Sequence, residues 1–213
     1  DAALRDARPG GDWLVRVGEV HERARKLAAR RLDASLYYLI YSAGHSTERY
    51  AAHHALLTMA VCEHAASLLG WDEARCDTVG RAAMTMNVAM VRLQDLLAQS
   101  DLKPTPDMRA AIDAHAAFGA EMLKSSGVTD AVWLDAVRWH HDNSEAAVAL
   151  EDLNPARQAA RLIRRVDIFT AKLSRRKTRV PMSPVQAAKE ACLGANGTPD
   201  AIGGALLKAV GLY

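Results

Sequence analysis

Four histidines and one aspartate fall where a sequence could assemble a metal or anion site: His54, His115, the adjacent pair His140-His141, and Asp167. Positions 54, 57, 61, 65 and 68 share one helical face, and Leu57, Val61, Ala65 and Leu68 make that face apolar, so His54 points inward. The same projection sets His115 among Met108, Ala111, Phe118 and Met122, and His140 behind Trp133, Ala136 and Val137. A buried imidazole loses its hydration and needs a partner, so several on converging faces point to a shared one, a metal ion or an anion. The competing reading is a set of separate core histidines whose nitrogens bond the backbone. His21, His45, His53 and His64 fall on polar faces or in loops and read as surface residues. Asp167 lies between Leu162, Ile163 and Val166 and the arginines of its own helix, which suits either a ligand or a salt-bridge partner.

The elements that must hold these side chains are helical. Half of the 213 residues are hydrophobic while only 5% are aromatic, and no segment alternates as a strand does. Helix starts are marked by capping side chains followed by proline at Thr105-Pro106, Asn154-Pro155, Ser183-Pro184 and Thr198-Pro199, with Gln186 completing a capping box on Ser183. The patterning predicts helices over 12–42, 49–69, 72–99, 106–124, 129–149, 155–174, 184–192 and 199–210. The expected fold is all-α, with an N-terminal helical extension or linker over 1–43 and a helical bundle over 44–213. That first helix could pack on its own domain, lead to an upstream domain or pair with a second copy. A net charge of +2 argues against DNA binding, and no apolar run reaches the ~18 residues of a membrane span. The unpaired set Cys62, Cys76 and Cys192 suits a reducing, cytoplasmic setting, and a chain that opens on Asp1 reads as a piece of a longer one.

The order His54, the run AAMTMNVAM at 82–90, His115, His140-His141, then VDIF at 166–169 and SRRKTRVPMSP at 174–184 resembles the HD-GYP family of the HD superfamily. The resemblance covers roughly 44–213. It implies an HD-domain-like helical bundle and the hydrolysis of cyclic di-GMP by a cluster of iron, manganese or other divalent ions. Two departures stand out. Met86 and Asn87 occupy the positions of the family's histidine-aspartate dyad, with Met90 at its lysine, and the glycine-tyrosine-proline loop expected after His140-His141 is absent. A methionine thioether and a neutral amide are poor substitutes for ligands that must hold and bridge hard cations. Val79, Met86, Met90, Leu93 and Leu97 instead share one apolar stripe, as core residues do.

His54, His115, His140, His141 and Asp167 remain as donors, enough for one divalent ion (iron, manganese or zinc) or for an ion-free hydrogen-bonded cluster. The stretch 155–182 carries nine basic residues against the single acid Asp167. Arg157, Arg161, Arg164 and Arg165 share a face, and the resemblance makes Lys172, Arg176 and Arg179 candidates for phosphate contacts. The expectation is a degenerate signalling domain that binds a protein partner or a cyclic dinucleotide. The alternative is a phosphodiesterase with a reduced metal site, and a third reading is a purely structural helical domain.

Overall fold

The computed structural model describes residues 1–9 and 11–211, and within them the chain is built from helices with no strand. In chain order they are α1 (Ala2–Arg5), α2 (Trp13–Arg30), α3 (Leu32–His45), α4 (Tyr50–Leu68), α5 (Glu73–Thr85), α6 (Val91–Gln99), α7 (Pro106–Ser125), α8 (Ala131–Trp139), α9 (Pro155–Leu173), α10 (Pro184–Ala191) and α11 (Ala201–Ala209). Short 3-10 turns lie at Val88–Met90 and Leu150–Asp152. The capping side chains act as the sequence requires: Thr105, Asn154 and Ser183 accept from the backbone amides of Met108, Arg157 and Gln186. The last start differs. Asp200, not Thr198, caps α11 by accepting from the Gly203 amide, while Thr198 bonds the side chain of Asn196.

Helix α4 is the central post, touching α3, α5, α6, α9 and α11. Its buried alanines, Ala51, Ala55, Ala60, Ala65 and Ala66 among them, let these neighbours approach closely. Leu57 and Val61 of α4 meet a core in which Leu162, Ile163, Phe169 and Leu206 are fully buried. Each such side chain contributes roughly 1.5–3 kcal/mol. Among the described residues, no helix is long and apolar enough to cross a membrane.

Three predicted helices are interrupted, each for a physical reason. The helix expected over 12–42 breaks at Arg31, which has φ −151° and ψ 64°. The break lets α2 bury Trp13, Val17 and His21 while α3 turns to bury Leu36 and Ala43. The helix expected over 72–99 ends at Thr85, whose hydroxyl donates to the Arg81 carbonyl at 2.7 Å and accepts from Trp133 Nε1 at 2.9 Å. Such back-bonding bends helices, and after the 3-10 turn α6 buries Val91, Gln94, Asp95 and Ala98 rather than Leu93 and Leu97. Val79 and Met86 of the proposed stripe are buried as expected. The helix expected over 129–149 stops at Trp139, and 141–149 becomes a loop strapped down by arginines of α9.

Other residues sit on the opposite side from expectation. Phe118 and Leu68 are exposed, because α7 buries the track through His115, Ala116, Gly119, Ala120 and Leu123, and α4 buries Ala65 and Ala66 at its end. His21, read as a surface residue, is fully buried, while His45 is exposed and His53 and His64 are half-buried.

At Gly203, α11 comes close against the backbone at the end of α10. A Cβ on Gly203 would stand 1.9 Å from the backbone oxygen of Cys192, which cannot move aside as a side chain could. Gly203→Ala is therefore expected to destabilise the protein by about 1–3 kcal/mol or more, read as a lowered urea midpoint with unchanged slope. An unchanged midpoint would show that α11 is not held at this distance.

Candidate metal centre

The middle of α7 and the end of α8 bring three histidines together. His115 lies in the middle of α7, His140 caps α8, and His141 follows it. A donor atom of each lies within 4.8 Å of the others. The first two are buried and His141 is exposed, so the cluster has a closed floor and an open side.

Helix geometry fixes which nitrogen each buried ring presents. His115 Nδ1 faces the Ile112 carbonyl and His140 Nδ1 faces the Val137 carbonyl, each three residues earlier. A carbonyl only accepts, so Nδ1 carries the proton in both rings and Nε2 is left as a lone pair. Those two Nε2 atoms point at one another across 3.2 Å. Two lone pairs at that distance repel unless a proton or a cation lies between them.

Burial disfavours the proton. Desolvation, reinforced by the charge of His141, drives His140 down to about 3, against the favourable influence of Asp167 and the Val137 carbonyl. Desolvation also lowers His115 and His141. At neutral pH the pair holds no bridging proton, and neutral imidazoles are the form that binds metals. Ligand bonds of about 2.0–2.1 Å in tetrahedral array place two nitrogens about 3.3 Å apart, close to the observed spacing. The carbonyls behind each ring are the kind of outer partner that orients a metal-binding histidine. The donor set therefore fits one divalent ion.

The other predicted donors form an adjoining pair. His54 Nε2 donates to Asp167 Oδ1 at 2.8 Å, and the carboxylate is half-buried beside it. Burial raises the Asp167 pKa, but the His54 hydrogen bond and the nearby His54, His140 and His141 rings outweigh it and hold the acid down to about 2. Asp167 thus binds His54 and acts on the three-histidine cluster through its charge, outside the group of mutually close donors. Tyr50 stacks on His54 with ring centres 5.7 Å apart, and Arg176 covers the other part of this stack, donating to the Tyr50 hydroxyl at 2.9 Å. His54 Nδ1 and Asn87 Oδ1 are buried without a hydrogen-bond partner among the described residues.

Met86 is 1% exposed, and its carbonyl and Val88 lie against Gly119 of α7, four residues from His115. A thioether packed into the core cannot supply the second-ion ligand that the resemblance would place there. Met90 is half-buried after the 3-10 turn.

Most of the predicted basic patch is committed to the fold. Arg157 pairs with Asp142 and Glu145, Arg161 donates to the Val148 and Glu145 carbonyls, and Arg165 pairs with Asp200. Lys172 pairs with Glu190, and Arg179 donates to the Ala171 carbonyl. With Arg176 tied to Tyr50, none of the three predicted phosphate contacts is idle. Arg164 is held less firmly: its hydrogen bond is a 3.4 Å contact to the His141 carbonyl, and its charge helps to lower the His141 pKa. The sequence showed Arg164 only as one of a row of arginines. The carbonyls of Ile112 and Val137 left no sequence signal at all. A scan against protein-family models, a search of curated proteins and a search of solved structures find no match for this chain.

The depressed histidines set a pH dependence in metal-free protein. Below about 6.5 the unfolded chain takes up protons that folded His140 refuses, so stability falls with pH towards about 3. For this one side chain the slope reaches at most about 1.4 kcal/mol per pH unit. Asp167 adds stability that is present above its ordinary value and lost as pH falls towards about 2. Urea unfolding with chelator is expected to give lower stability near pH 5 than near pH 7. Equal stability would mean that the rings are not desolvated.

Proposed function

We propose that this chain is a degenerate HD-GYP-type domain that binds one divalent ion at His115, His140 and His141 and acts by binding a phosphate-bearing ligand or a protein partner, without cyclic di-GMP hydrolysis. The observation that carries this reading is the pair of facing Nε2 lone pairs at 3.2 Å, beside a chain segment in which Met86 is core. A divalent ion held there would polarise a phosphate oxygen, but the clamp on attacking and leaving oxygens that a neighbouring second ion provides has no ligands at Met86 and Asn87.

The chain's own groups support anion binding at the open side. His141 is exposed, and Arg164, on the next helix, carries a charge that only a weak carbonyl contact engages. Asp167 and His54 hold each other, which leaves that carboxylate less available to an incoming nucleotide or to water. The alternative, slow phosphodiester hydrolysis at a single ion, is favoured by the solvent access at His141.

Loading with iron or manganese under anaerobic conditions, followed by elemental analysis and a cyclic di-GMP hydrolysis assay, separates these readings. The expected result is about one ion per chain, lost in His115→Ala and His140→Ala, with no turnover. Turnover abolished by the same variants would establish the enzyme instead, and absence of metal would remove the ion from the proposal. Met86→His with Asn87→Asp is expected to raise metal uptake, because it adds an imidazole and a carboxylate donor close to α7, which carries His115; no gain would mean that the core around Met86 does not admit a ligand.

A further inference from the structure

A second group of donors lies between α2, α4 and α5, and it includes the histidine that the sequence pattern had placed at the surface. His21 is 0% exposed. Its Nε2 donates to Glu63 Oε1 at 2.7 Å, so in the neutral ring Nδ1 is the lone pair. That Nδ1 is buried and, among the described residues, has no hydrogen-bond partner. It faces Asp77 Oδ1 at 3.8 Å, too far for a hydrogen bond, and Glu22 completes a trio whose donor atoms lie within 4.8 Å of one another. An ion bonded to nitrogen and oxygen at about 2.0–2.2 Å holds them between about 3.3 Å in tetrahedral array and about 4.2 Å when opposed. The 3.8 Å gap falls inside that span.

The surroundings are built as an outer shell. Glu63 orients the ring in a carboxylate–histidine arrangement, the usual support of a metal-binding imidazole. Arg25 Nη1 and Arg81 Nε fix the two Asp77 oxygens at 2.9 and 2.7 Å, and Arg25 also reaches Glu63 and Glu73. Four carboxylates, Glu22, Glu63, Glu73 and Asp77, meet three cations, Arg25, Lys26 and Arg81, so the neutral-histidine cluster retains negative charge. A neighbouring cleft of about 480 Å³, lined by Glu22, Glu63, Glu73 and Cys76, gives access from solvent. Glu63 also fills the space over Gly80, where a Cβ would meet its Oε1 at 1.9 Å.

We propose that His21, Glu22 and Asp77, oriented by Glu63, form a second divalent-cation site suited to a zinc-like ion and separate from the three-histidine cluster. Its donors come from α2 and α5, so the ion would fasten α2 to the bundle. The mixed nitrogen and carboxylate set favours zinc over magnesium or calcium, which prefer oxygen alone.

Zinc(II) binding is measured by equilibrium dialysis with metal analysis on the full chain carrying His115→Ala and His140→Ala. About one equivalent is expected to remain, and adding Glu22→Ala is expected to weaken it about tenfold or more, since even outer partners cost 10–100-fold. Glu22 is half-exposed on its helix, so this substitution spares the core. Should the double histidine variant fail to fold, the same loss is read in the parent chain, where Glu22→Ala is expected to remove one of two equivalents. Zinc binding that Glu22→Ala and Asp77→Asn leave unchanged, or no zinc beyond the first cluster, overturns the proposal.

Discussion

Two backbone carbonyls dictate the character of the site. By accepting from Nδ1 of His115 and His140, the Ile112 and Val137 oxygens force both remaining lone pairs inward, where they meet at 3.2 Å. A water molecule does not fit between nitrogens 3.2 Å apart, and a proton is disfavoured by the burial of the rings. A fold that brings two desolvated lone pairs together gains from a cation there, and the rest of the bundle serves to keep them facing. The small residues on α4 and α7 allow the helices to close around the rings, and the Thr85–Trp133 hydrogen bond ties α5 to α8 behind them.

The region around Met86 is built as apolar core. Thr85 ends α5, Asn87 and Met90 take non-helical angles, and Met86 drops into the apolar interior against α7. A side chain that packs is stabilising, whereas a charged ligand there without its ion would be costly. The Tyr50, His54 and Asp167 chain forms a structural link between α4 and α9, with Arg176 closing it from the following loop.

The helical nature of the chain, most helix starts and the inward direction of His54, His115 and His140 were legible because periodicity and capping are local properties. The breaks at Arg31 and Thr85 were not, since no glycine or proline marks them and each follows from contacts with distant helices. Phe118 misled because an apolar side chain on a mixed helix face says nothing about which neighbour is there to cover it. His21 was missed for the opposite reason: it sits among charged residues of α2, and only Glu63, 42 positions away, makes its burial tolerable. The arginines of α9 looked like a patch because the sequence does not reveal that the loop over 141–149 consumes them.

The most direct measurement is an anomalous-scattering map of crystals of the intact chain grown with manganese or zinc. The expected result is a single ion in the cluster, about 2.0–2.2 Å from Nε2 of His115 and of His140. A pair of ions about 3.5–4 Å apart at that place, reaching Met86 or Asn87, would contradict the account, as would a metal-loaded crystal whose facing rings hold no ion at all.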